Sequence, residues 1–103
     1  MSNSKFHPNQ AEVIDDPFYA AYVNYLGHDV MKCSTGPSGT VWTFLVKECD
    51  FDIMRQEFDD PETSLFVKPY ASAMKRVFSF QKLARQYSGE YVTQGWRDAI
   101  RRG

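Results

Sequence analysis

Four residues near the middle of the chain, Gly36-Pro37-Ser38-Gly39, can do little except turn, and the segments flanking them are suited to strands. Residues 28–35 and 40–47 mix β-branched, aromatic and polar side chains in near alternation, so an antiparallel hairpin is expected. Pairing Thr35 with Thr40 sets the register, placing Cys33 opposite Trp42, Met31 opposite Phe44 and Val30 opposite Leu45. Residues directly opposite one another share a face of the sheet. One face is then Met31, Cys33, Trp42, Phe44 and Val46, which reads as core. The other is Val30, Lys32, Ser34, Val41, Thr43 and Leu45, which is only half polar. Apolar surface patches commonly mark interfaces, so a homodimer contact centred on Val30, Val41 and Leu45 is one expectation; cover by the N-terminal arm or the tail is the other.

A lone hairpin is marginal, so the rest of the chain must supply a second layer. Asp15-Asp16-Pro17 starts a helix by a clear mechanism. An Asp oxygen accepts from the first turn, and Pro17 at N1 has no N–H to leave unpaired. That helix runs to Leu26 and stops at Gly27, with Phe18, Tyr22, Tyr25 and Leu26 on one face. A short helix over 51–58, capped by Asp50 or Asp52, sets Phe51, Met54 and Phe58 on one side. After a loop at 59–63, Leu65, Phe66 and Val67 should be extended, because the residue before Pro69 avoids the helical region.

The longest helix is expected from Pro69 to about Gln86, ended by Ser88-Gly89. At about 100° per residue, Tyr70, Ala73, Met74, Val77, Phe80, Gln81 and Ala84 share a face. Lys68, Ser72, Lys75, Ser79, Lys82 and Gln86 lie opposite, flanked by Arg76 and Arg85. Glu12, Val13 and Ile14 suit a short edge strand, and Trp96 and Ile100 suit a final helical turn or two within 93–102. The order describes an α+β, two-layer fold: helix, β-hairpin, short helix and long helix, with a small antiparallel sheet packed against the long helix. At 103 residues and 16% aromatic content, one core is expected, with a loose arm over about 1–11 and a short tail over about 88–103.

Three segments together resemble a known group of proteins: Asp16-x-x-Tyr19-x-Ala21 running on to Leu26-Gly27, then Val41-Trp42-Thr43-Phe44, then Val67-Lys68-Pro69 opening the long helix. The resemblance, over roughly residues 12–87, is to a family of small domains of unknown function encoded in phages, plasmids and bacterial genomes. It implies a phage or mobile-element origin and carries no catalytic pattern to any position here.

The first ten residues are polar and lack the apolar core of a signal peptide, and no apolar run approaches the ~20 residues of a membrane span. Two cysteines do not make a disulfide framework, so the host-cell cytoplasm is the expected compartment. Cys33, Cys49, His7 and His28 include no pair at zinc-ligand spacing. His28 lies five residues before Cys33, on the opposite face of a regular strand, which disfavours a nucleophilic pair. The doublets Asp15/Asp16, Asp50/Asp52 and Asp59/Asp60 have structural roles as caps or turns, and no phosphate-binding loop is present. The expectation is a chain that is not an enzyme and uses neither metal nor cofactor.

Charge is the remaining signal. Residues 1–66 hold four basic and eleven acidic side chains, and residues 67–103 hold eight basic and two acidic ones, so a net charge of −1 hides a strong asymmetry. The halves could neutralise each other in the fold or serve partners. Asp50, Asp52, Glu57, Asp59, Asp60 and Glu62 form a carboxylate array able to occupy a basic channel meant for nucleic acid. The first functional expectation is therefore a protein-binding factor of phage or mobile-element type that inhibits or modulates a host nucleic-acid-processing protein, such as a nuclease complex. The alternative is a nucleic-acid-binding accessory protein using Lys68, Lys75, Lys82, Trp96, Arg97 and Arg101. A small enzyme with an unrecognised site is a further alternative.

Overall fold

The computed structural model describes residues 11–46, 48–94 and 97, with only the backbone at Glu48 and Cys49. Its elements run β1 (Ala11–Ile14), α1 (Pro17–Tyr25), β2 (Lys32–Gly36), β3 (Gly39–Leu45), α2 (Glu48–Asp59), α3 (Val67–Gln86) and β4 (Glu90–Val92). The strands form one antiparallel sheet in the order β1-β3-β2-β4. The fold is the expected α+β arrangement, with the sheet packed against α3. No described helix is long and apolar enough to cross a membrane.

The hairpin takes the register read from its turn: Thr35 faces Thr40 and Cys33 faces Trp42, with pairing reaching Gly36 and Gly39. Gly39 closes the turn at φ +120°, a conformation that side chains disfavour. Trp42, Phe44 and Cys33 are buried under the helices, and Trp42 Nε1 donates to the Val77 carbonyl of α3 at 2.9 Å. That bond satisfies the one polar atom of the ring inside the core. Ala73, Val77 and Ala84 are the buried stripe of α3, with Tyr70, Met74 and Phe80 packed at its margin.

α1 is the most enclosed element, buried continuously from Tyr19 to Asn24. A helix apolar all round belongs in an interior; α3 and the α2 aromatics Phe51 and Phe58 pack against it. Asp16 caps it by accepting from Phe18 N at 2.9 Å. At its end, Gly27 N–H reaches Asn24 O at 3.0 Å and His28 N–H reaches Val23 O at 3.3 Å, with Gly27 at φ +107°. This is the paired closing pattern of a left-handed helix stop.

Three expectations need correction. Val30 is not on the outer sheet face but in the core, 2% exposed, because β2 begins only at Lys32 and the approach to it turns inward. Val41 and Leu45 are half-buried, so Val30 alone leaves the expected patch. Asp50 and Asp52 lie inside α2, which starts at Glu48, and neither is its cap. Val67 and Lys68 are helical: Pro69 falls in the first turn, where the N–H groups have no intrahelical acceptor and none is lost. The entry to α3 is fixed by tyrosine bonds to α1 instead, as Phe66 N–H donates to Tyr25 Oη at 3.0 Å and Tyr70 Oη donates to the Phe18 carbonyl at 2.9 Å.

Strand β4 was not foreseen. Ser88 at φ +64° and Gly89 at φ +105° turn the chain off α3, and Gly89 N–H closes on Ala84 O at 2.7 Å. Thr35 N–H donates to Gly89 O at 2.7 Å, and a side chain at Gly89 would crowd the Thr35 carbonyl at 3.1 Å. Only glycine suits that junction, which delivers Tyr91 opposite Cys33 and against Phe80. The arm, Trp96, Ile100 and Arg101 lie outside the described residues.

Candidate binding surfaces

α2 turns Phe51, Met54 and Phe58 toward α1, which leaves its carboxylates to flank that apolar face. Asp50, Asp52, Glu57, Asp59, Asp60 and Glu62 are all exposed. Several nonetheless have structural roles. Arg55 lies over the Tyr19 ring at 4.8 Å and pairs with Asp59 at 3.3 Å. Burial pushes the Tyr19 hydroxyl up to about 12; Arg55 opposes that shift, while Asp59, Asp52 and Glu12 add to it. Arg55 therefore serves as a local counter-charge to Asp59. On the other flank Glu57 Oε1 accepts from Tyr22 Oη at 3.4 Å, and burial together with that carboxylate raises the Tyr22 pKa. Asp60 Oδ1 accepts from Glu62 N–H at 2.9 Å, and Thr63 Oγ1 donates to the last-turn carbonyl of Glu57 at 2.6 Å. These bonds make the acidic loop a turn with its own caps.

α3 presents the opposite arrangement. Lys68, Lys75 and Lys82 are exposed and fall at intervals of seven residues, so they form one row with steps of about 10 Å along the axis. None makes an ion pair among the described residues. The two ion pairs found there are Arg55–Asp59 and Lys32–Glu90, the second at 3.6 Å, so neither joins the carboxylates of α2 to the row on α3.

Beside the row runs a shallow groove of about 490 Å³ formed by Met74, Lys75, Phe78, Ser79 and Lys82. Phe78 is 43% exposed there, an aromatic face between two cations. Sequence reasoning passed over Phe78, although its spacing of three from Lys75 and four from Lys82 places it beside them. Arg76, expected to flank the row, turns the other way and donates through Nε to Asn24 Oδ1 at 2.7 Å. Arg97 is exposed but lines a separate opening with Tyr87, Glu90 and Tyr91. Trp96 and Arg101 lie outside the described residues, so the structure assembles only the α3 part of the expected basic surface.

Cys33 is wholly buried and burial pushes its thiol up to about 11, which favours the un-ionised form that is a poor nucleophile. Among the described residues no three His, Cys, Asp or Glu side chains converge as metal ligands. No family model, curated protein or solved structure matches the chain.

Proposed function

We propose that this protein is a non-catalytic binding module that holds single-stranded nucleic acid along α3. The reading rests on one observation: the exposed ring of Phe78 sits in a groove between Lys75 and Lys82, and neither lysine makes an ion pair among the described residues. A base stacks on an aromatic face whatever its identity, while lysines track the phosphates on either side. Lys68 extends the row toward the start of the helix. Ser72 and Ser79 between the lysines are exposed hydroxyls able to donate to phosphate oxygens. A net charge of −1 does not oppose this, because Asp59, Glu57 and Asp60 are met locally by Arg55, by Tyr22 and by backbone.

A second reading keeps the carboxylates of α2 as the recognition surface, set into a basic channel of a host nucleic-acid-processing protein by a factor of phage or mobile-element origin. What favours it is that all six carboxylates stay exposed despite their internal bonds. Two double variants separate the readings, each assayed by fluorescence anisotropy on a labelled oligothymidylate. Lys75→Glu/Lys82→Glu should abolish binding, and Asp52→Lys/Glu62→Lys should leave it intact or tighten it. Binding that survives the first pair of substitutions removes α3 as the recognition surface.

A further inference from the structure

α1, α3 and the segment entering β2 enclose a second, half-open cavity of about 240 Å³ on the side of α3 toward α1. Its floor is apolar, made by Val30, Met31 and Phe80, and its wall carries Asn24, Arg76 and Asp29. Asn24 is 7% exposed, and both ends of its amide are engaged. Nδ2 donates to the His28 carbonyl at 2.9 Å, and Oδ1 accepts from Arg76 Nε at 2.7 Å. The guanidinium is thereby held in place through a single one of its three nitrogens. Arg76 forms no ion pair among the described residues, Asp29 included, so the Nη1 and Nη2 groups keep their donors beside an apolar floor.

From this geometry we infer a binding site for a small carboxylate that carries an apolar group. The end-on edge of a guanidinium offers two parallel N–H donors at the spacing of a carboxylate's two oxygens. The bond from Nε to Asn24 leaves that edge available and sets its orientation before a ligand arrives, which lowers the ordering cost of binding. Val30, Met31 and Phe80 then take the apolar group, in a volume suited to one side chain of leucine size. Phosphate fits less well: the cavity has one cation, and Asp29 on its wall repels a second negative charge. Two sources present the required chemistry, a free apolar amino acid and the C-terminal residue of a peptide. Asp29 distinguishes them, since only the free amino acid brings an ammonium group for it to meet.

The test is a titration of the full chain followed by amide chemical shifts, with leucine, N-acetyl-leucine, leucinamide and inorganic phosphate as probes. One or both carboxylates should saturate with a Kd on the order of 0.1–1 mM, shifting the amides around Asn24, Val30 and Arg76. Leucinamide and phosphate should not saturate. If leucine binds more tightly than N-acetyl-leucine, and Asp29→Asn removes the difference, the source is a free amino acid. If N-acetyl-leucine binds as well or better, it is a peptide C-terminus. Arg76→Met should weaken binding by about tenfold or more. Arg76→Lys, which keeps the charge but loses the paired donors, should weaken it less, and an unchanged melting profile for that variant confirms an intact fold. Equal binding of leucinamide, wild-type affinity in both Arg76 variants, or no saturation by either carboxylate would overturn the assignment.

Discussion

On α2, Arg55 stacks on Tyr19 and pairs with Asp59, whereas on α3 Lys68, Lys75 and Lys82 share a row and make no ion pair among the described residues. In the sequence both helices are strongly charged, with opposite signs. The difference is where the counter-charge resides. α2 carries its own cation one turn before Asp59, at the spacing that lets side chains meet on a helix. α3 has no acidic residue at all between Val67 and Gln86, so its lysines can be neutralised only from outside the helix. Charge density along a chain therefore says little about availability to a partner. The presence or absence of an internal partner of opposite sign says more.

That contrast rests on α3 being fixed to the sheet, and the largest expected effect comes from removing its anchor. Trp42→Ala deletes a buried ring and its bond to Val77 O, and should cost about 3–5 kcal/mol in chemical denaturation. A melting temperature within a degree or two of the parent would remove the sheet-on-helix packing from the account. A smaller loss should come with alkaline pH. Cys33 is held at about 11 against an ordinary value of 9.0, and Tyr19 at about 12 against 10.0. Folding thus keeps these protons when the unfolded chain has released them. Stability should be full below about pH 9 and fall as pH rises through 11 and 12, with Cys33 contributing roughly 2–3 kcal/mol at most. Melting Cys33→Ala across the same range checks this, since its curve should be flatter than the parent's between about pH 9 and 11.

The direct comparison of the helices involves smaller energies. Arg55→Met removes the ring contact and the counter-charge of α2, for an expected loss of about 1 kcal/mol. Lys75→Met and Lys82→Met break no ion pair among the described residues and should stay within about 0.5 kcal/mol of the parent. Equal losses on both helices, measured by urea titration, would erase the distinction drawn between them.

Most of this fold was legible in the chain. The turn at Gly36–Gly39 fixed the hairpin register, and the Asp16-Pro17 start and Gly27 stop bounded α1. The seven apolar-face positions read for α3 are buried or half-buried there. The misreadings share a cause: tertiary contacts overruled a local rule. Tyr25 and Tyr70 draw Val67 and Lys68 into the helix against the preference of a residue before proline. Val30 obeys the core and not strand alternation. β4 is three residues long, too short for any periodicity to announce it. Of the surfaces, the lysine row was readable from spacing alone. The engagement of Arg76 by Asn24 was not, because those residues lie fifty-two apart and meet only through packing.

The central claim is that recognition runs through the lysines of α3, and the salt dependence of binding tests it most directly. Affinity for an oligothymidylate should fall with salt at a log–log slope of about −2, since three neutralised phosphates contribute about −0.7 each on a single strand. Lys68→Glu/Lys75→Glu/Lys82→Glu should abolish both the binding and the slope, while Asp52→Lys/Glu62→Lys should preserve them. No measurable affinity at low salt, or a slope that the lysine variant leaves unchanged, would contradict the account.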